Sequence, residues 1–272
     1  MKVHVLVEDK VRKRGYLAEH GLSLLIETNH LKVLFDIGAT DVFYKNAQQK
    51  NLLLDNIDVV VISHGHYDHC HGLAYFEPSS KTKIFIQDAA LKPKYAQENN
   101  DFREIGLSNQ EELVKRLNSN LVRLKGDYRI NDHMMIINTI PDKNHFEMIA
   151  PEFFIQEGYE ITKDLFYDEQ ILVINCDKGL VVFSGCSHLG IINWLDRVHE
   201  YDPQIPIYAL FAGMHLEKVS QKQLDYTIAK LEQANISHIF PLHCTGFMAT
   251  ARIKEHFLDK CSLLYTGDTI EI

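Results

Sequence analysis

One stretch, "IDVVVISHGHYDHCHG" at residues 57–72, constrains this chain more than any other. A continuous β-branched run such as Ile57–Ile62 suits a strand covered on both faces. Directly behind it, His64, His66, Asp68, His69 and His71 fall within eight positions. In an extended segment, side chains at i and i+2 point to the same side, so His64 and His66 can grip one cation together. Asp68 and His69 follow as the backbone bends toward a helix, and point toward a second. Two-metal hydrolytic sites hold their ions about 3.5–4 Å apart. Gly65 and Gly72 are expected to supply the tight backbone by accepting positive φ. His71 lies outside the spacing and reads as a residue that does not ligate. Imidazole and carboxylate donors without dominant thiolates suit zinc, and also manganese or iron. The expected cofactor is therefore a divalent metal, Zn2+ first and Mn2+ or Fe2+ as alternatives, as one or two ions.

The rest of the chain reads as strands first, then strand–helix alternation. The runs 3–8, 22–28, 31–38, 57–64 and 82–87 read as strands, with a hairpin turn at Thr28-Asn29-His30. Residues 40–53 and 108–120 read as helices, the latter starting at a serine. The stretch 141–168 combines prolines, aromatics and acids without a sustained period and reads as an irregular excursion. A hairpin around Asp177-Lys178-Gly179 follows, then helices over 191–201, 220–235 and 247–258, strands over 205–213 and 237–243, and a closing strand. This order fits an α/β chain of two sheets with helices outside.

Composition narrows the function. With 272 residues the chain can bury a large core, and a single domain over 1–272 is expected. Its net charge of −9 offers no general attraction to nucleic acid or anionic lipid, so neither is an expected partner. No apolar run approaches the ~20 residues of a membrane span. The five cysteines form no CxxC pair and no disulfide framework, which makes a reducing cytoplasm the expected location.

The segment "SHGHYDHCHG" resembles the HxHxDH signature of the metallo-β-lactamase superfamily. "LFDIG" (34–38), "VVFSGCSH" (181–188) and "IFPLHCTG" (239–246) follow in that family's order. With "EHGLSLLIE", "GCSHLGIIN", "AGMHL" and "HCTG" they resemble a branch of metal-dependent hydrolases that includes proteins similar to dihydropterin phosphate synthase. The resemblance implies an αββα sandwich of two mixed β-sheets with helices on the outer faces and the site at one edge. It implies His64, His66 and His188 on one ion, and Asp68, His69 and His243 on the other. His188 could instead be a helix-start residue bonding to backbone. Where many relatives carry a bridging aspartate, this chain has Cys186, which is either a thiolate ligand or a small buried apolar residue. Asp36 reads as a carboxylate that orients a ligand histidine, or as an ordinary turn aspartate. His215 reads as a general acid or substrate-binding residue, or as a structural hydrogen-bonding residue. His145 is a weaker candidate.

Three functions follow from this reading. The first is a metal-dependent hydrolase acting on a small anionic substrate, either phosphate-containing or ester-like, with Asp68 orienting the nucleophile and His215 donating the proton. The second is a synthase-like lyase or transferase of the pterin pathway. The third is a non-catalytic, metal-stabilised binding or sensing domain. No GxSxG elbow, Walker loop or dinucleotide-binding glycine pattern competes with them.

Overall fold

The computed structural model describes residues 1–99, 101–107, 110–140, 144, 146, 147 and 149–272, with Gln110 described by its backbone alone. The chain groups into two compact units. One comprises Met1–Lys125, Pro151–Asp168 and Tyr265–Ile272, the other Gly126–Ala150 and Glu169–Leu264.

The first unit holds a seven-stranded mixed sheet among its described residues. Its order is Thr269–Glu271, Lys2–Val7, Ser23–Glu27, Lys32–Phe35, Val59–Val61, Lys83–Gln87 and Leu121–Leu124. The first four strands pair antiparallel and the rest parallel. Val59–Val61 lies inside the sheet, with Val60 opposite Leu34 and Ile84. Val59, Val60 and Val61 are all buried, as a β-branched run covered on both faces requires. Helix Val42–Gln49 buries Phe43 and Ala47 in the cluster that contains Leu34, Val60 and Ile84.

A second, four-stranded antiparallel sheet in this unit runs Glu160–Lys163, Phe153–Glu157, Lys94–Glu98 and Asp101–Glu104. This corrects the expectation of an irregular excursion, because residues 153–163 form a hairpin paired with Lys94–Glu98. Two of its strands, Asp101–Glu104 and Glu160–Lys163, are exposed throughout, so no apolar face marks them.

Among its described residues the second unit holds a six-stranded mixed sheet ordered His238–Leu242, Ile207–Gly213, Gly179–Ser184, Ile171–Cys176, Met134–Ile137 and Tyr128–Asn131. The expected hairpin is present, with Cys176 opposite Gly179. Gly179 is required there: its φ is +130°, and a Cβ would stand 2.4 Å from the Pro206 carbonyl oxygen. Phe183, Phe211 and Phe240 stack across the three parallel strands, with ring centroids 4.9 and 4.2 Å apart. Helix Ile191–Tyr201 matches its expected bounds, and Ser220 caps helix Gln221–Gln233 by accepting the Gln223 N–H. The helix expected over 108–120 spans Gln110–Leu117, and its serine start lies outside the described residues. Among the described residues no helix is long and apolar enough to cross a membrane.

Candidate metal centre

In the first unit, strand Val59–Val61 delivers Ser63, His64, Gly65 and His66 in sequence, and helix Tyr67–Cys70 follows at once. His66 is still extended, with φ −77° and ψ 143°, so the turn falls between the His64/His66 pair and Asp68/His69. All four expected ligands of this unit are buried. The His64 ring centroid lies 4.6 Å from that of His66 and 4.3 Å from that of His69. Asp68 Oδ2 stands 3.7 Å from His69 Nε2.

The glycines act otherwise than expected. Neither Gly65 nor Gly72 has positive φ. Each is needed because another backbone passes too close: a Cβ on Gly65 would lie 2.3 Å from the Ala90 carbonyl oxygen, and one on Gly72 would lie 2.1 Å from that of Ile37.

Asp36 directs the imidazoles. It directly follows strand Lys32–Phe35, adopts φ +52° and is fully buried. Its Oδ1 accepts the Ser63 N–H at 2.6 Å, and its Oδ2 accepts the Ser63 hydroxyl at 2.7 Å and lies 2.7 Å from His69 Nδ1. A carboxylate only accepts, so His69 carries its proton on Nδ1 and presents Nε2. Ser63 spends its single proton on Asp36. Its oxygen, 2.9 Å from His64 Nδ1, therefore accepts from that ring, and His64 also presents Nε2. His66 is held neutral by a different route. Burial pushes its pKa down to about 3, and the rings of Phe153 and Phe166 flank it at 5.1 and 5.5 Å.

Three further residues bear on this loop. Asp168 Oδ2 accepts the Gly65 N–H at 2.7 Å. Lys94, fully buried, stands 2.9 Å from Asp168 and 2.5 Å from Asp164. His20 reaches Asp9 at 3.2 Å and Asp68 at 3.4 Å. His71, expected not to ligate, lies with Nδ1 2.9 Å from the Ala39 carbonyl oxygen.

In the second unit, the remaining candidates follow the ends of the three parallel strands. Gly185, Cys186, Ser187 and His188 follow Gly179–Ser184, His215 lies two residues beyond Ile207–Gly213, and His243 follows His238–Leu242. Ser187, His215 and His243 have φ values of +55°, +47° and +44°. Left-handed backbone at non-glycine residues costs of order 1–3 kcal/mol each and clusters where function demands it. The Ser187 hydroxyl donates to the Gly213 carbonyl at 2.6 Å and tethers the first loop to the second. Glu169, buried, accepts the His188 and Leu189 N–H groups at 2.6 and 2.8 Å and the Trp194 Nε1–H at 3.0 Å. Glu147 accepts the Ile192 and Asn193 N–H groups at 2.9 Å each, at the start of the helix.

The His188 and His215 rings lie 4.5 Å apart. One donor atom from each of Cys186, His188 and His215 falls within 4.8 Å of the others, and the same holds for Cys186, His243 and Cys244. Cys186 thus has imidazole donors near its thiol. Burial acts to raise the Cys244 thiol, yet the neighbouring Cys186 and His215, with the charge on His243, outweigh it and hold the thiol well below its ordinary range. Gly213 makes the approach feasible, since a Cβ there would lie 2.8 Å from Cys244 Sγ. His145 lies outside the described residues.

The first unit thus gathers His64, His66, Asp68, His69 and Asp36, and the second gathers Cys186, His188, His215 and His243. Imidazoles, a carboxylate and thiols form the donor set of a borderline divalent cation such as zinc. The residues present fit such an ion. Sequence reasoning missed Lys94, Asp168, Glu169, Cys244 and His20; only Cys244, beside a strand-terminal histidine, carried a local signal.

Residues 17–118 match the metallo-beta-lactamase superfamily profile. An uncharacterized protein of Methanocaldococcus jannaschii is 32% identical over 263 residues, covering 93% of this chain and 94% of its own length. The 7,8-dihydropterin-6-methyl-4-(β-D-ribofuranosyl)-aminobenzene-5'-phosphate synthase of the same organism is 28% identical, covering 100% of this chain and 96% of its own. A crystal structure of a metal-dependent hydrolase of the β-lactamase superfamily superposes with a TM-score of 0.86 at 32% identity, covering 100% of this chain and 99% of that one.

Proposed function

Because the chain belongs to the metallo-β-lactamase superfamily, with the α/β fold that its sequence implied, we propose that it is a metal-dependent hydrolase acting on a small anionic, phosphate-containing molecule. The observation that carries this reading is the Asp36–Ser63 network, which turns Nε2 of both His64 and His69 into the lone-pair nitrogen.

The proposed ligands are His64, His66 and His188 for one ion and Asp68, His69 and His243 for a second, with Cys186 as a further donor. A divalent cation held by them supplies Lewis acidity, lowering the pKa of water and polarising a carbonyl or phosphoryl oxygen. The chain's own groups do the rest. Asp36 and Ser63 fix ring orientation, so the donors need no rearrangement. The Asp68 carboxylate orients the nucleophile and accepts its hydrogen bond. His215, beside His188, donates a proton to the leaving group. Zinc, two ions and a cytoplasmic setting belong to this proposal.

A second reading is favoured by the identity with the synthase along the whole chain: a lyase- or transferase-type reaction in which the same residues manage departure of a phosphate. One experiment separates the two. Purified protein loaded with zinc or manganese is assayed against phosphodiesters, lactones and thioesters, and separately with a pterin and a ribofuranosyl-aminobenzene phosphate precursor. Turnover in the first panel that is lost in His66→Ala supports the hydrolase. Condensation in the second supports the synthase. Metal-loaded protein inactive in both would sink catalysis and leave a binding domain.

A further inference from the structure

Lys94 is a fully buried lysine with two buried carboxylates, Asp164 at 2.5 Å and Asp168 at 2.9 Å. Buried ion clusters are poor devices for stability, because desolvation offsets their attraction; their best-attested use is to select one arrangement over others. Here the arrangement selected is next door. Asp168 uses its other oxygen to accept the Gly65 N–H at 2.7 Å, between His64 and His66. The backbone of Lys94 serves the same loop: its carbonyl accepts the Ile105 N–H at 2.8 Å, and the Ile105 carbonyl accepts the Tyr67 N–H at 2.8 Å. The amides on either side of His66 are thus both anchored through Lys94. The Ala90 backbone packs close against Gly65, 2.3 Å from where a Cβ would stand. Asp164 in turn accepts the Phe166 N–H at 2.8 Å and fixes the ring that stands 5.5 Å from His66.

We infer that Lys94 and Asp168 are positioning residues for the metal-ligand loop: the Lys94–Asp168 pair grips the Gly65 amide and so sets the spacing and direction of the His64 and His66 imidazoles. This rests on the metal-binding reading above. Neither residue is among the proposed ligands. Their effect is exerted through the loop's backbone.

The test uses the full chain, metal-free and then titrated with Co2+ and Zn2+, as wild type, Asp168→Ala, Asp168→Asn and Lys94→Met. Readouts are the visible Co2+ spectrum, affinity by chelator competition, and amide hydrogen exchange at Gly65. Asp168→Ala is expected to weaken metal affinity by about 10–100-fold, the usual effect of losing a group that supports ligands, and to change the Co2+ spectrum. Asp168→Asn keeps an oxygen that can accept the Gly65 N–H, and should restore the spectrum and most of the affinity. A merely structural role would lower stability without moving either readout in the folded protein. Folded Asp168→Ala with the wild-type spectrum and affinity overturns the inference, as does rapid exchange of Gly65 in the wild type. If Asp168→Ala does not fold, that exchange rate and the Lys94→Met spectrum decide. A wild type that takes up no metal is a different result, and removes the metal reading along with this one.

Discussion

Asp36 Oδ2 and His69 Nδ1 lie 2.7 Å apart with both side chains fully buried. The same oxygen also accepts the Ser63 hydroxyl, through which His64 is oriented. A single carboxylate therefore governs two of the proposed ligands, and its removal has to be felt at both.

Asp36→Ala should lower zinc affinity by at least the 10–100-fold typical of an orienting carboxylate, measured by competition with a chromophoric chelator. Asp36→Asn cannot accept from His69 and Ser63 as a carboxylate does and should fall between. Wild-type affinity in both variants would remove Asp36 from the site.

Burial of His66 has a pH consequence for the metal-free protein. Its pKa is pushed down to about 3 from a usual value near 6.5. Between those values the unfolded chain binds the proton and the folded chain does not, so stability is fully present above pH 6.5 and falls as pH drops toward 3. The loss is on the order of a few kcal/mol across the window. Urea unfolding at a series of pH values should show a shallower acid limb in His66→Gln. An unchanged limb would contradict the assignment.

Glu169 accepts three N–H groups, including that of Trp194, the chain's single tryptophan. Glu169→Ala leaves buried donors unsatisfied at about 1–3 kcal/mol each. Its unfolding midpoint in urea should drop, and the tryptophan emission of the native state should shift. Glu169→Gln should retain part of both.

Gly65→Ala should be among the most damaging single-methyl changes in the first unit, since the added carbon has a backbone oxygen in its way. Loss of metal uptake by a folded variant, read by circular dichroism and elemental analysis together, is the expected result. Normal uptake would show that the loop has slack.

Of Cys70, Cys244 and Cys261, Cys244 should react first with iodoacetamide at neutral pH in metal-free protein. Its thiol is held low, whereas burial raises those of Cys70 and Cys261, and the thiolate is the reactive form. Peptide mapping after brief labelling reads the order, and preferential labelling of Cys70 would refute it.

What could be read in the sequence was the part encoded by neighbours. The run 57–69 announced a strand, a turn and its donors because all lie within one short segment. His215 and His243 were legible because each trails an apolar run, and Asp36, Cys186 and His188 through the family resemblance of the motifs that hold them. Asp168 was not, since its partner Gly65 is 103 positions away. Lys94, in the polar context "LKPKY", reads as solvated, and only tertiary packing buries it. The sheet containing it escaped for a related reason: strands such as Asp101–Glu104 are exposed throughout, so no alternation of polar and apolar residues marks them. The left-handed turns at His215 and His243 are likewise invisible to pattern, because non-glycine residues rarely adopt them.

Ser63 has one proton to give, and that sets a polarity on everything attached to it. The relay from the His64 ring through the hydroxyl to Asp36 runs one way only. Replacing this hydroxyl by a methyl would remove the acceptor that keeps the proton on Nδ1, and the tautomer with its proton on Nε2 would become accessible. A choice between tautomers is thus stored in an oxygen that never meets the ion, at a residue whose type, amid so many histidines, is easily passed over.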